Sequence, residues 1–192
     1  MNCRLTILFL LVCGAAMATI SLAPGGTMSL APAGLVTLVG ANPGYNPPTT
    51  GGWVNATMTS NTDPAPNAVT STSTTGDAWK VFDHDTGTVS QFDGNAPGTP
   101  GIAFDFGEGV DEVVDRIKVT ASAGYSPKTY SFLGTSDGSW VELASGTMSD
   151  SSSEQEFVAT NSTAYRFYLL EWSDQYDAGA QAILAEVKLW KD

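Results

Sequence analysis

The sequence predicts an all-β chain whose main domain is an antiparallel β-sandwich jelly roll, and three observations carry that expectation. Charged residues make up only 15% of the chain, while 20 glycines, 10 prolines and abundant Ser, Thr and Asn take their place, a composition that favours strands joined by turns over helices with charged faces. From Val54 onward, short β-branched and aromatic runs alternate with turn clusters, which is the spacing of a sandwich. No stretch of this region keeps a helical apolar period for three turns.

The 192 residues suit one sizeable domain plus an appendage. Residues 1–20 are an apolar segment: LTILFLLVCGAAMATISLA follows Arg4 without a charge, and Ala16-Met17-Ala18 offers a small-x-small cleavage site. Such a pattern reads as a secretory signal, a membrane span or a buried assembly segment. Residues 21–52 hold a repeat of period eight, SLAPGGTM, SLAPAGLV and TLVGANPG, in which a short extended piece meets a Pro/Gly turn. Leu22, Leu30, Leu35, Val36 and Leu38 are costly to leave in water, so the expectation is an arm that docks on other virion or surface subunits, with a flexible linker as the plainer reading. GANPGYNPPTTGG closes the arm, and the domain spans residues 53–192.

Strands are expected at 54–59, 88–92, 101–106, 113–121, 128–135, 139–144, 154–159, 164–172 and 182–190. In the fourth, Ile117, Val119 and Ala121 share one face while Arg116, Lys118 and Thr120 share the other, as in a half-buried strand. YRFYLLEW (Tyr165–Trp172) is apolar on both faces apart from Arg166 and Glu171 and reads as a central strand, within which Arg166 needs a partner.

Arg4 is the only charge before Asp63, leaving seven basic and twenty acidic groups in the rest of the chain, net −13. Such a surface repels phosphate backbones and anionic membranes, which are normally bound through clustered Lys and Arg, so no nucleic-acid partner is expected. Both cysteines, Cys3 and Cys13, precede the domain, which must hold together by packing, with or without a metal. One histidine and no domain cysteine leave zinc chemistry and a thiol nucleophile without ligands, and His84 lies between two acids in a turn, where a Ser-His-Asp triad is implausible. A carboxylate pair of the glycosidase kind stays open among 20 acidic residues; the domain is expected to bind and not to catalyse.

Six motifs in order resemble the discoidin, or coagulation-factor type C, domain and related galactose-binding-like carbohydrate-binding modules: AWKVFDHDTGT from Ala78, IAFDFG from Ile102, RIKVTA from Arg116, SPKTYSFLGTSDGSWVEL from Ser126, YRFYLLEW from Tyr165 and AEVKLW from Ala185. The resemblance covers roughly residues 54–190. His84 stands where the family usually has glycine, Val89 and Ser90 where an aromatic commonly follows the threonine, and the terminal cysteine pair of animal members is absent. An apolar Pro/Gly arm ahead of such a module is also similar in layout to virion-associated proteins of tailed bacteriophages.

Asp83, Asp85 and Thr88 place two carboxylates and a hydroxyl in one turn, which on residues alone reads as an Asx turn or as a source of hard oxygen ligands. The resemblance implies a structural Ca²⁺ held there by the side chains of Asp83, Asp85, Thr88 and Glu186, with carbonyls near Lys80 and Ala185. His84 is read as an outward-pointing turn residue. The resemblance also implies that loops at one end of the sandwich bind a cell-surface glycan. Sugar recognition takes an aromatic face and convergent polar groups, and Phe92, Asp93, Asn95, Tyr125, Trp172, Asp174 and Tyr176 are the candidates. Trp53, Trp79, Trp140 and Trp190 are assigned to the core. The sequons at Asn55 and Asn161 are given no role.

The function expected is a non-catalytic, extracellular glycan-binding adhesion module displayed on a virion or cell surface, as a homo-oligomer or within a larger assembly. The alternative is a structural decoration or cement protein of a phage capsid or tail.

Overall fold

Side-chain alternation along this chain builds two facing sheets. The computed structural model describes residues 19–22, 26–30, 36–38, 51–74, 77–94, 99–177 and 181–192. In chain order the strands are β1 Thr19–Leu22, β2 Gly26–Leu30, β3 Val36–Leu38, β4 Gly52–Trp53, β5 Ala68–Ser71, β6 Ser90–Asp93, β7 Gly101–Asp105 and β8 Glu112–Val113. They continue with β9 Arg116–Ala121, β10 Pro127–Thr135, β11 Val141–Thr147, β12 Gln155–Val158, β13 Ala164–Tyr165, β14 Phe167–Gln175 and β15 Gln181–Lys191. One 3-10 helix, Ala78–Phe82, lies between β5 and β6.

The chain divides into two units, residues 1–41 and 42–192. In the first, β1, β2 and β3 form an antiparallel three-stranded sheet with Thr19 opposite Ser29 and Met28 opposite Leu38. The readings of Cys3, Cys13 and the Ala16-Met17-Ala18 cleavage site fall outside the described residues.

The second unit is the sandwich. One sheet runs β11-β10-β14-β7-β5 and the other β12-β9-β15-β4, with β6 also paired to β15. Every pairing is antiparallel. The half-buried strand is realised as β9, with Ile117 and Val119 inward, and YRFYLLEW supplies central β14, whose Tyr168, Leu170 and Trp172 point into the core. Arg166 finds the partner it needs: its Nε and Nη2 donate to the two oxygens of Asp105 at 2.7 and 2.9 Å, a bidentate pair. Across the core, Phe82, Phe104, Phe106 and Tyr168 meet edge to face at centroid distances of 5.0, 5.0 and 6.0 Å. Each such contact adds about 0.5–1.5 kcal/mol to the burial of its rings. The Tyr168 hydroxyl donates to the Glu112 carbonyl at 2.5 Å and accepts from Val114 N–H at 3.1 Å, so this buried polar group is fully engaged.

Several expectations need correction. The run expected at 54–59 forms no strand, and the ladder is made just before it, by Gly52–Trp53. Beyond it, Val54 N–H still donates to Leu189 O at 2.8 Å, but the side-chain oxygen of Asn55 accepts from Leu189 N–H at 2.8 Å and replaces the next ladder bond. β5 was not expected. Trp53 and Trp140 are 36% and 43% exposed and do not belong to the core, while Trp79 and Trp190 are half-buried. Trp53 and Trp190 lie opposite each other on the outer sheet face, where Lys188 Nζ sits 4.8 Å from the Trp53 ring and Lys118 Nζ 3.8 Å from that of Trp190. Long lysine stems cover these rings where a facing sheet would otherwise be needed. Among the described residues no helix is long and apolar enough to cross a membrane.

β15 carries one irregularity that positions the site. Its register against β9 passes from Leu184 opposite Ala121 to Glu186 opposite Thr120. Ala185 is the extra residue of a bulge, a device that re-aims the next side chain.

Candidate functional site

The 3-10 helix ends at Phe82 with Asp83 as its C-cap, and the turn that follows is knitted by its own acids. Asp83 Oδ1 accepts from Asp85 N–H at 2.9 Å, and Asp85 Oδ1 accepts from Gly87 N–H at 2.8 Å. The Thr88 hydroxyl donates to Asp83 Oδ2 at 2.6 Å and lies 3.0 Å from the Asp85 carbonyl and 3.4 Å from that of Lys80. Asp85 thus turns its carbonyl, rather than the expected carboxylate, towards this group of oxygens. Its side chain is spent on the turn.

Glu186 completes the cluster from β15. It is 1% exposed, and neither carboxylate oxygen has a hydrogen-bond partner, an arrangement that is costly unless something else compensates it. Burial, reinforced by the charge of Asp83 and opposed by Lys188, pushes its carboxyl up to about 8. Among the described residues no three His, Cys, Asp or Glu side chains gather as a cation site. The donors are instead two carboxylates, a hydroxyl and backbone carbonyls, an oxygen-only set that fits a hard divalent cation and suits zinc poorly.

His84 does not point outward. It is the one described non-glycine residue with a left-handed φ, 60°, and this backbone turns its ring back onto the segment from Trp53 to Thr57. The ring meets Trp53 edge-on at 4.0 Å, Nδ1 lies 2.8 Å from Thr57 Oγ1, and Nε2 lies 3.2 Å from Asn55 Nδ2. Since the Asn55 amide can only donate there, Nε2 accepts and Nδ1–H donates to Thr57. Burial, with help from Lys188 and against Asp83, lowers the imidazole to about 4, so the ring is neutral at pH 7. His84→Ala keeps the strained backbone and loses these contacts. A destabilisation of about 1–2 kcal/mol is expected in urea unfolding, and an unchanged midpoint would show the contacts to be idle.

At one end of the sandwich the structure separates the ring candidates into two groups. Phe92 and Trp172 are 0% and 1% exposed and meet edge to face at 5.1 Å. They occupy inward positions of β6 and β14, so both are core residues and cannot present a face to a ligand. Tyr125 and Tyr176 are each 39% exposed. Their loops are tied together, because Tyr176 N–H donates to Ser126 O at 3.0 Å and Tyr125 O accepts from Ile183 N–H at 2.9 Å. The Tyr176 hydroxyl donates to Met148 O at 2.9 Å, which fixes the ring. Asp174 pairs with Lys128 at 3.0 Å, and that ammonium lies 5.8 Å from the Tyr176 ring and holds the Asp174 carboxyl below its usual range. Asp93 is half-buried at the end of β6, its N–H bonded to Ser73 O at 2.8 Å. Asn95 lies outside the described residues. Sequence reasoning missed Lys128 and Asp150, whose carboxylate accepts from Gly124 N–H at 2.6 Å and braces the Tyr125 loop.

Neither sequon is open. Asn55 is 4% exposed, and the Asn161 amide donates to Val114 O at 3.0 Å and Thr163 O at 2.9 Å.

Comparison with solved structures defines the class of fold. The domain is similar to the family 32 carbohydrate-binding module of Clostridium perfringens NanJ, solved with galactose: TM-score 0.57, 15% identity, 65% of this chain and 93% of that one. It is similar also to the family 32 module of AlyQ, solved with 4,5-unsaturated mannuronic acid (TM-score 0.54, 23% identity, 64% and 92%). A third is a C. perfringens module solved with GalNAc-β-1,3-galactose (0.54, 18%, 64% and 93%). No family model and no curated protein matches the sequence. The domain has the galactose-binding-like sandwich fold of the family 32 carbohydrate-binding modules.

Proposed function

We propose that the domain is a non-catalytic glycan-binding module that reads sugars at the loop end bearing Tyr125 and Tyr176. The observation that carries this reading is the pair of exposed rings, braced through Ser126, Met148 and Asp150. Aromatic faces take the C–H faces of a pyranose, and the Asp174–Lys128 pair beside Tyr176, with Asp93 at the end of β6, supplies groups for its hydroxyls. The ligands named for the similar structures, galactose among them, support the class of partner. Binding without chemistry is supported by the state of the sole histidine, held neutral against Thr57 and Asn55 as part of the turn.

The reading includes a structural Ca²⁺ bound by Asp83, Thr88 and Glu186 side chains with the carbonyls of Lys80 and Asp85. The orphaned buried carboxylate of Glu186 is its support. When bound, the cation supplies charge that compensates this carboxylate and ties the turn to β15. It also includes an extracellular setting, with residues 1–52 as the arm that docks the domain on a virion or cell surface, supported by the apolar period-eight repeat.

A glycan array probed with the full chain, followed by assay of reducing-sugar release from every glycan bound, tests the function. Specific binding with no release is expected. Silence across the array with particle assembly retained favours a decoration protein, and turnover abolished by one carboxylate substitution makes it an enzyme.

A further inference from the structure

Beside the Tyr125 loop, on the outer face of the second sheet, runs a groove of about 460 Å³ that none of the rim residues lines. Thr86 and Val89 of the acidic turn form one wall, Ser152 and Glu154 the other, and Thr120 with Ser122 lies between. The bulge residue Ala185 and Ala123 also line it. Four hydroxyls and one carboxylate surround apolar patches from Val89, which is 48% exposed, and from three alanines, Ala121 among them.

We infer that this groove is a second sugar subsite, which takes the next uncharged unit of a glycan whose terminal unit rests on Tyr125 and Tyr176. The inference rests on the glycan-binding reading and extends it to chain length and charge. Continuity is the first argument: Ser122 O accepts from Tyr125 N–H at 2.9 Å, so one short turn joins groove and rim, and the Asp150–Gly124 bond fixes the wall beside it. Chemistry is the second. Short hydroxyls and a carboxylate acceptor match sugar hydroxyls, while small apolar side chains match C–H groups. Charge is the third. No Lys or Arg lines the groove; Lys188, which reaches its Glu154, is committed to that carboxylate, and the acidic turn flanks the other wall. A uronate placed there meets carboxylates without a free counter-charge.

The test compares wild type, Ser152→Trp and Ala123→Trp on array glycans that share one terminal sugar and differ by one added unit. Ser152→Trp fills the groove from the wall that carries Ser152 and Glu154. In wild type the added neutral unit is expected to tighten binding by about tenfold, the equivalent of roughly 1.4 kcal/mol, and an added uronate is expected to give no gain. Ser152→Trp loses the gain while its monosaccharide affinity stays at the wild-type value, and Ala123→Trp loses the gain from the turn that joins groove and rim. A wild type that binds no glycan sinks the glycan-binding reading and the subsite with it. If wild type binds but the added unit brings no gain, or the gain survives in both folded tryptophan variants, the subsite is refuted and the rim stands.

Discussion

Adding Ca²⁺ to chelator-treated protein is expected to raise its melting temperature by roughly 8–11 °C. A ligand at a hundred times its Kd stabilises the folded state by about 2.7 kcal/mol, and one kcal/mol moves a domain of this size by about 3–4 °C. Asp83→Ala and Glu186→Gln should both abolish the rise. The two variants differ without metal. Glu186→Gln removes a buried carboxylate that no donor compensates, so its metal-free melting temperature should match or exceed that of wild type. Asp83→Ala removes the acceptor of both Asp85 N–H and the Thr88 hydroxyl and should lower it. A calcium response that persists in Glu186→Gln would remove β15 from the cation site.

Replacing Tyr125 and Tyr176 together by alanine is expected to weaken glycan binding by roughly ten- to a hundredfold, as loss of central aromatic anchors does. Both rings are partly exposed and stand clear of the core rings, so the unfolding midpoint should fall only slightly. Replacing Phe92 or Trp172 instead should unfold the domain, since each is a fully buried ring whose truncation costs about 3–5 kcal/mol. Calorimetric titration beside urea unfolding separates these outcomes. Loss of binding with an unmoved midpoint in a Trp172 variant would reverse the assignment.

Why the sequence misplaced those two residues is a matter of parity. Trp172 was read with the loop that follows it, yet Tyr168, Leu170 and Trp172 keep one period-two face and pass into the core together. The same holds for Ser90 and Phe92 on β6. Counting alternation to the end of each strand would have placed both inside. Trp53 fails in the other direction, because apolar size says nothing about which face of a sheet is covered, and on its outer face Lys188 covers the ring; Trp140 falls in the turn between β10 and β11 and stays exposed. β5 was hidden by its four-residue length between turn-forming neighbours.

The sandwich itself was legible, because β9, β10, β14 and β15 each carry enough alternating residues to fix both strand and face. In the acidic turn, the convergence of Asp83 and Thr88 was legible from spacing, while the role of Asp85 depended on which of its oxygens the turn consumed. His84 carried a signal that was not used. The family's glycine position is a request for left-handed backbone, and a histidine there, at φ 60°, must be repaid by contacts such as those with Trp53, Thr57 and Asn55.

One titration tests the central claim most directly: isotope-labelled full-length protein against a glycan chosen on the array, with backbone amide shifts and the sugar's anomeric signals followed in the same sample. The account predicts that shifts concentrate at residues 91–94, 122–126 and 172–177 while the anomeric signals keep their identity and intensity over time. Amide shifts confined to other surfaces of the sandwich, or the appearance of new reducing-end signals, would contradict it.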